Sequence, residues 1–228
     1  MTLNSKKILF VTANFGTRDN FPIQKPFDTH DFIMFTDNVI KYEKSGWTVK
    51  HFNYNFHTTE KINNIHKNRY IKFQLHNIID ISQYTMIVYC DGYMFPKNNT
   101  SWLQYLEVIQ NTGLIQALHK KRRNIYEECD AIHRARKDTM ENMKKMKNYL
   151  RSLNVPKIQI YENTAFCYDK TILNLMDEFW SLYSSLNITY RDQPLWNYLL
   201  YKNNVVPYIS NTLFSNFERV KHSGHKYV

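Results

Sequence analysis

A chain of 228 residues with 43% hydrophobic and 15% aromatic residues can bury a sizeable core, which excludes a disordered polypeptide. Only 5 Gly and 6 Pro are present, which argues against a flexible multidomain string and for one domain over residues 1–228. The formal net charge of +10 concentrates polyanions at the surface, be they nucleic acid, a membrane face or a phosphorylated small molecule, although a Lys-rich solvated surface gives the same composition.

The N-terminal run Ile8 to Val11 is too short for a signal peptide or a membrane span, and no later stretch reaches membrane length. A soluble, cytoplasmic chain with no transmembrane segment is therefore expected. Ile8 to Ala13 is nearly continuously apolar and ends at Asn14-Phe15-Gly16, which suits a strand covered on both faces. Further strands are expected at Asp31 to Thr36 and at Trp47 to Phe52. A helix follows from about Thr59 to Ile79, on which Arg69, Lys72 and His76 share one face at spacings of three and four. Tyr84 to Cys90 is the next apolar strand, stopped by Asp91-Gly92-Tyr93; a helix then runs to Gln110 and a strand from Gly113 to Leu118. One long polar helix is expected from Asn124 to Leu153, then short strands at 157–161 and 164–168. A helix over 171–184, another opening at Arg191-Asp192-Gln193-Pro194, and a strand at 205–209 complete the chain. Alternating strands and helices predict an α/β three-layer sandwich around a mostly parallel, mixed sheet.

Cys90, Cys129 and Cys167 fit no metal spacing, and Cys90 and Cys167 read as buried thiols. Neither a GxGxxG nor a GxxxxGK[ST] loop follows the first strand, which disfavours the dinucleotide and P-loop readings. In open α/β sheets ligands bind beyond the carboxyl ends of strands, and an otherwise apolar strand delivers Asp91 to that edge. A carboxylate there can bind a hard divalent cation that holds a diphosphate, or can simply begin a turn.

The apolar strand, Asp91-Gly92-Tyr93, Ile8 to Gly16 and Phe35-Thr36-Asp37-Asn38 together resemble a plant-type glycosyltransferase family of GT-A architecture. His119 with Arg122, Arg123 and Ile125 to Glu128, then Tyr161 to Phe166, then Tyr190 to Leu195 are similar in order and spacing. That family has Asp-Gly-Asn where this chain has Asp-Gly-Tyr, and small GT-A domains of large DNA viruses are also similar. The resemblance implies transfer of a sugar from a nucleotide-diphosphate sugar, UDP-linked by preference, to a glycan or glycoprotein acceptor, with no nucleic acid partner.

It further implies that Asp91 and Gly92 meet the diphosphate, and that Mn²⁺ or Mg²⁺ is held by Asp91 and His222, with His225 as substitute. Tyr93, where DxD enzymes keep a second acid, is a poor ligand for such a cation, so Arg69 and Lys72 stand as alternative partners of the diphosphate. Thr12, Ala13, Asn14 and Asp37 fall where base and ribose contacts occur, although Asp37 is equally a turn former. Asp192 is the expected general base or stabiliser of the anomeric centre, unless it only caps its helix; Gln193 and Glu162 would face the sugar. The competing reading is a non-catalytic basic protein that binds nucleic acid or an acidic polymer through Lys120 to Arg123 and Lys144 to Lys147.

Overall fold

A computed structural model describes residues 7–16 and 30–220. Four parallel strands lie in the order β3 (Thr48–His51), β2 (Asp31–Thr36), β1 (Ile8–Asn14), β4 (Met86–Asp91). Next to β4 comes β7 (Ala165–Tyr168), antiparallel to both neighbours, then β6 (Leu114–Gln116) and β8 (Tyr208–Ile209), which are parallel to each other. A separate antiparallel pair joins β5 (Met94–Pro96) to β9 (Phe217–Arg219).

Side chains alternate between the two faces of the sheet. Leu9, Val11, Ala13, Ile87, Tyr89 and Phe166 pack under α2 (Glu60–Phe73), α4 (Ile125–Arg134), α5 (Met140–Ser152), α6 (Leu173–Leu186) and α7 (Gln193–Lys202). Ile8, Phe10, Met86, Val88, Cys90 and Cys167 pack under α1 (Val39–Tyr42) and α3 (Ser101–Thr112), with Trp102 and Tyr105 filling that layer. Because both faces are covered, β1 and β4 are apolar at successive positions, not only at alternate ones. This is the α/β three-layer architecture with a mixed, mostly parallel sheet that the sequence leads one to expect. All three cysteines are free and buried, and no described helix is long and apolar enough to cross a membrane.

Four local expectations need correction. The stretch expected as one helix over 124–153 is two helices, because the chain reverses between α4 and α5 at Arg136, whose φ is 53°. Buried Asp138 fixes that reversal. It accepts from the Thr139 amide (2.7 Å), Asn142 Nδ2 (2.7 Å), the Thr189 hydroxyl (2.6 Å) and the Tyr190 amide (2.8 Å). Residues 157–161 form no strand beyond a single bridge between Tyr161 and Leu118. The Asn197 amide instead takes both Tyr161 backbone groups, accepting from its N–H (2.6 Å) and donating to its carbonyl (3.2 Å). The helix begun at Glu60 stops at Phe73, and a short 3₁₀ turn over Leu75–Asn77 carries His76 away to Asp177 (2.8 Å), off the face shared by Arg69 and Lys72. The C-terminal strand is only Tyr208–Ile209.

Gly113 ends α3 with φ of 69°, its N–H bonded to the Ile109 carbonyl at 2.8 Å. A Cβ there would clash with Thr171 Oγ1 and lie 3.3 Å from Ile172 Cγ2. Gly113→Ala is therefore expected to lower stability by about 1–3 kcal/mol, read as a melting point several degrees lower by circular dichroism.

Candidate functional site

The carboxyl ends of β1 and β4 meet at Asn14 and Asp91. Gly92 permits the close passage: a Cβ on it would lie 3.3 Å from the Ala13 carbonyl and 3.4 Å from the Asn14 side chain. The Asp91 side chain is 31% exposed and its Oδ1 lies 3.5 Å from Lys72 Nζ. The Tyr89 hydroxyl donates to Asp91 at 3.4 Å and to Asn68 Oδ1 at 3.2 Å. Asn68 in turn donates to the Ala13 carbonyl (3.2 Å) and accepts from Arg69 Nη1 (2.8 Å), fastening α2 across this end of the sheet.

Asp192 immediately precedes α7 yet does not cap it through its side chain. Its φ and ψ of −75° and −34° are helical, and the carboxylate turns inward instead. Oδ1 meets Arg69 Nε at 2.9 Å; Oδ2 meets Lys72 Nζ at 3.1 Å and accepts from Asn163 Nδ2 at 3.3 Å. Lys72 also donates to the Asn163 carbonyl (2.8 Å) and lies 4.8 Å from the centroid of the Tyr89 ring. All three charged residues are buried, with Asp192 only 2% exposed. Burial by itself raises the Asp192 pKa, but Arg69, Lys72 and Arg191 outweigh it and hold the carboxyl well below the usual carboxylate range. Asp192 is thus a shielded, fully ionised anion with little affinity for a proton. Lys72 sits between it and Asp91 and links the ends of β4 and α7.

Asn163 continues this network: its Oδ1 accepts from Gln116 Nε2 (3.1 Å), whose Oε1 accepts from Trp196 Nε1 (3.2 Å). The residue before it, Glu162, opens toward the rim with its side chain 21% exposed. His119 Nε2 lies 3.6 Å from Glu162 Oε1 and 3.7 Å from Glu128 Oε2, and Arg122 Nε lies 3.4 Å from Glu128 Oε2. Burial raises the Glu162 pKa, with Arg122 and Lys137 opposing and Asp91 adding to the rise. Burial also pushes Glu128 up to about 7 against the pull of Arg122 and Arg191. His119 falls to about 4, through burial first and Arg122 second. Its Nδ1 accepts from the Lys121 amide (3.1 Å) and the Arg122 amide (3.2 Å), so a neutral ring carries its proton on Nε2, toward the two carboxylates. Tyr93 is raised by burial and by Asp91 and is hydrogen-bonded to Thr164, so it presents a neutral hydroxyl.

On the far side of β1, both Asp37 oxygens accept from the Gly16 amide at 3.1 Å, closing the turn after the strand. Thr12 and Ala13 are buried within the sheet. Asn14 is 4% exposed and its Nδ2 has no hydrogen-bond partner among the described residues; the same holds for Gln193 Nε2. A cavity of about 660 Å³ lies beside Asp37, with Asn53, Asn55, Asn63, Asn64 and Lys67 in its lining. Asn64 and Lys72 are eight residues apart on α2, or about 12 Å along its axis. The helix therefore runs from the cavity to Asp91.

The fold thus gathers Asp91, Gly92, Arg69, Lys72, Asp192, Glu162 and Asn14 at one end of the sheet, while Asp37 belongs to the neighbouring cavity. Asn68, Asn163, Gln116 and Glu128 are network members that residue pattern alone did not single out as partners of Asp91 or Asp192. Glu128 and Asn163 carried a signal, through the His119 to Glu128 and Tyr161 to Phe166 segments. His222 and His225 lie outside the described residues. Among the described residues no three His, Cys, Asp or Glu side chains are placed to hold one metal ion. The donor set around Asp91 is therefore incomplete for a divalent cation without His222 or substrate oxygens.

No protein-family model matches the chain, and no curated protein does. Among solved structures the chain is similar to the apo form of mouse xyloside xylosyltransferase 1, at 8% identity and a TM-score of 0.48, over 90% of this chain and 86% of that one.

Proposed function

We propose that this chain is a single-domain glycosyltransferase that moves a sugar from a nucleotide-diphosphate sugar, UDP-linked by preference, to a glycan or protein acceptor. The observation that carries the reading is the partly exposed Asp91 at the carboxyl end of β4, tied through Lys72 to Asp192 and neighbouring Glu162. The sequence resemblance to plant-type and viral GT-A domains adds to it. In this reading the base and ribose enter the cavity beside Asp37, and Asn14 Nδ2 supplies a buried donor at the strand end. The diphosphate lies along α2 toward Asp91 and Lys72, where fixed cations stabilise the charge that develops as the glycosidic bond breaks. Arg122, Lys137 and Arg219 act on the carboxyl of Glu162 and contribute to the same positive field. Gln193 Nε2, a second donor without a partner among the described residues, is suited to a sugar hydroxyl. Asp91 and His222 would hold Mn²⁺ or Mg²⁺, which when bound neutralises diphosphate charge. Asp192 has both oxygens occupied by cations and serves chiefly to hold Arg69 and Lys72 in place; Glu162 is the better proton acceptor.

A thermal-shift panel of nucleoside diphosphates and nucleotide sugars, with and without Mn²⁺, tests the proposal. A ligand at about one hundred times its Kd is expected to add about 2.7 kcal/mol, a melting-point rise of several degrees. Asp91→Asn should lose most of that rise while melting close to wild type without ligand, because its side chain is partly solvated. A flat panel would remove the donor site, and an undiminished rise in Asp91→Asn would move it elsewhere.

A further inference from the structure

The basic excess is not spread evenly. Residues 120–137 contain seven cations (Lys120, Lys121, Arg122, Arg123, Arg134, Arg136, Lys137) against three acids (Glu127, Glu128, Asp130), which leaves four of the ten net charges in one segment. The three acids are already engaged. Glu127 accepts from the Arg123 amide (2.9 Å) and Asn124 Nδ2 (3.1 Å), Glu128 faces His119 and Arg122, and Asp130 pairs with Lys147. Lys121 and Arg134 have no carboxylate partner among the described residues and are exposed. In the second basic group, by contrast, Lys145 pairs with Glu141 at 2.7 Å and Lys147 with Asp130.

Lys121 and Arg134 stand on a groove of about 470 Å³ between the turn at 121–122 and one face of α4, with Ala131 and Ala135 leaving room along it. From Glu127 to Arg134 the groove follows α4 for about 10 Å. The backbone of the turn is fixed, since His119 Nδ1 accepts both the Lys121 and Arg122 amides. The other side of the same imidazole faces Glu128 and Glu162. One ring therefore joins the groove to the rim around Asp91.

From this geometry we propose that the groove is the acceptor subsite and that the acceptor is an oxyanion-bearing oligosaccharide, bound by Lys121 and Arg134. The proposal rests on the glycosyl-transfer reading above. Guanidinium and ammonium groups at the edge of a narrow groove suit sulfate, phosphate or carboxylate groups spaced along a glycan. A single-stranded nucleic acid also carries such anions, but its sites pair a basic groove with aromatic platforms on which bases stack, and the groove lining contains no aromatic side chain. An anion held there would bring the neighbouring hydroxyls of the acceptor toward Glu162.

The test measures binding of three oligosaccharide probes to the full chain at about 0.1 M ionic strength, where charges more than about 10 Å apart are largely screened: a sulfated heparin tetrasaccharide, an oligogalacturonate and a phosphorylated mannose disaccharide. A single-stranded oligodeoxynucleotide is the fourth arm. At least one oligosaccharide should bind, and the paired Lys121→Glu/Arg134→Glu variant should weaken it about tenfold or more. Lys144→Glu/Lys145→Glu makes the same change in net charge on α5 and should leave binding within about twofold, because the screened field of α5 reaches the groove weakly. Nucleotide stabilisation should be unchanged in both variants. Equal loss in the two variants, no oligosaccharide binding, or tighter groove-dependent binding of the oligodeoxynucleotide would overturn the proposal. Groove-dependent oligosaccharide binding by a chain that no nucleotide stabilises would instead sink the transferase reading and leave a polyanion-binding protein.

Discussion

Replacing Asp192 with alanine is expected to cost about 3–5 kcal/mol, because it leaves two buried cations facing each other without their shared anion. Arg69 and Lys72 are 7% and 2% exposed, so water cannot take the place of the lost carboxylate. On a chain of this size the loss corresponds to a melting point lower by about 6–20 °C. Replacing all three residues with apolar ones of similar volume should recover much of it, since the cost lies in uncompensated charge. The same triad sets the acid limb of stability. Asp192 has a folded pKa below its ordinary value of 3.8, so its contribution is fully present above that value and is lost as pH falls toward the folded one. Wild type should begin to lose this contribution as pH falls below about 4 and fall more steeply with acid than Asp192→Ala. Thermal melts across pH, monitored by circular dichroism, read both effects. A variant that melts within about 0.5 kcal/mol of wild type at neutral pH would show that the triad carries little stability.

The strands at the centre of the sheet were legible in the sequence for a physical reason. Burial on both faces removes the alternation of polar residues, and what remains in β1 and β4 is an apolar run that ends where the rim begins. The helix pair α4 and α5 was not legible as a pair. Ala135 to Thr139 contains neither Gly nor Pro, and a non-glycine residue, Arg136, adopts the left-handed conformation that reverses the chain. The only local mark was Asp138-Thr139, a helix-start signature, and Thr139 Oγ1 does accept from the Asn142 amide at 3.0 Å. The failed strand at 157–161 has a tertiary cause, the Asn197 amide on α7, which no local pattern contains. The site was half legible. Asp91 announces itself by ending an apolar strand, and Asp192 by opening a helix before Pro194. That Asp192 turns away from its helix toward Arg69 and Lys72, 120 residues away in the case of Lys72, is decided by packing alone.

Glu162→Gln is expected to lower the rate of sugar transfer by about 10²–10⁴-fold while keeping nucleotide stabilisation. The substitution preserves size and hydrogen bonding and removes only the ability to accept a proton. Burial raises this carboxyl, Arg122 and Lys137 oppose the rise, and Asp91 adds to it. A base of that kind is charged when needed and still has affinity for the proton of an acceptor hydroxyl, which the strongly depressed Asp192 lacks. His119 Nε2 faces both Glu162 (3.6 Å) and Glu128 (3.7 Å), and burial raises both carboxyls, so the acidic limb of the rate profile should sit at a value above the ordinary carboxylate range. In wild type kcat/KM should rise with pH through that value; in Glu162→Gln this acidic limb should shift or vanish. The assay is release of nucleoside diphosphate in the presence of acceptor, followed across pH. A variant that kept the limb unshifted, with activity within about tenfold of wild type, would mean that proton transfer does not run through Glu162. The role would then pass to Asp192 despite its pairing, and Asp192→Asn, compared at a temperature where both variants remain folded, decides between them.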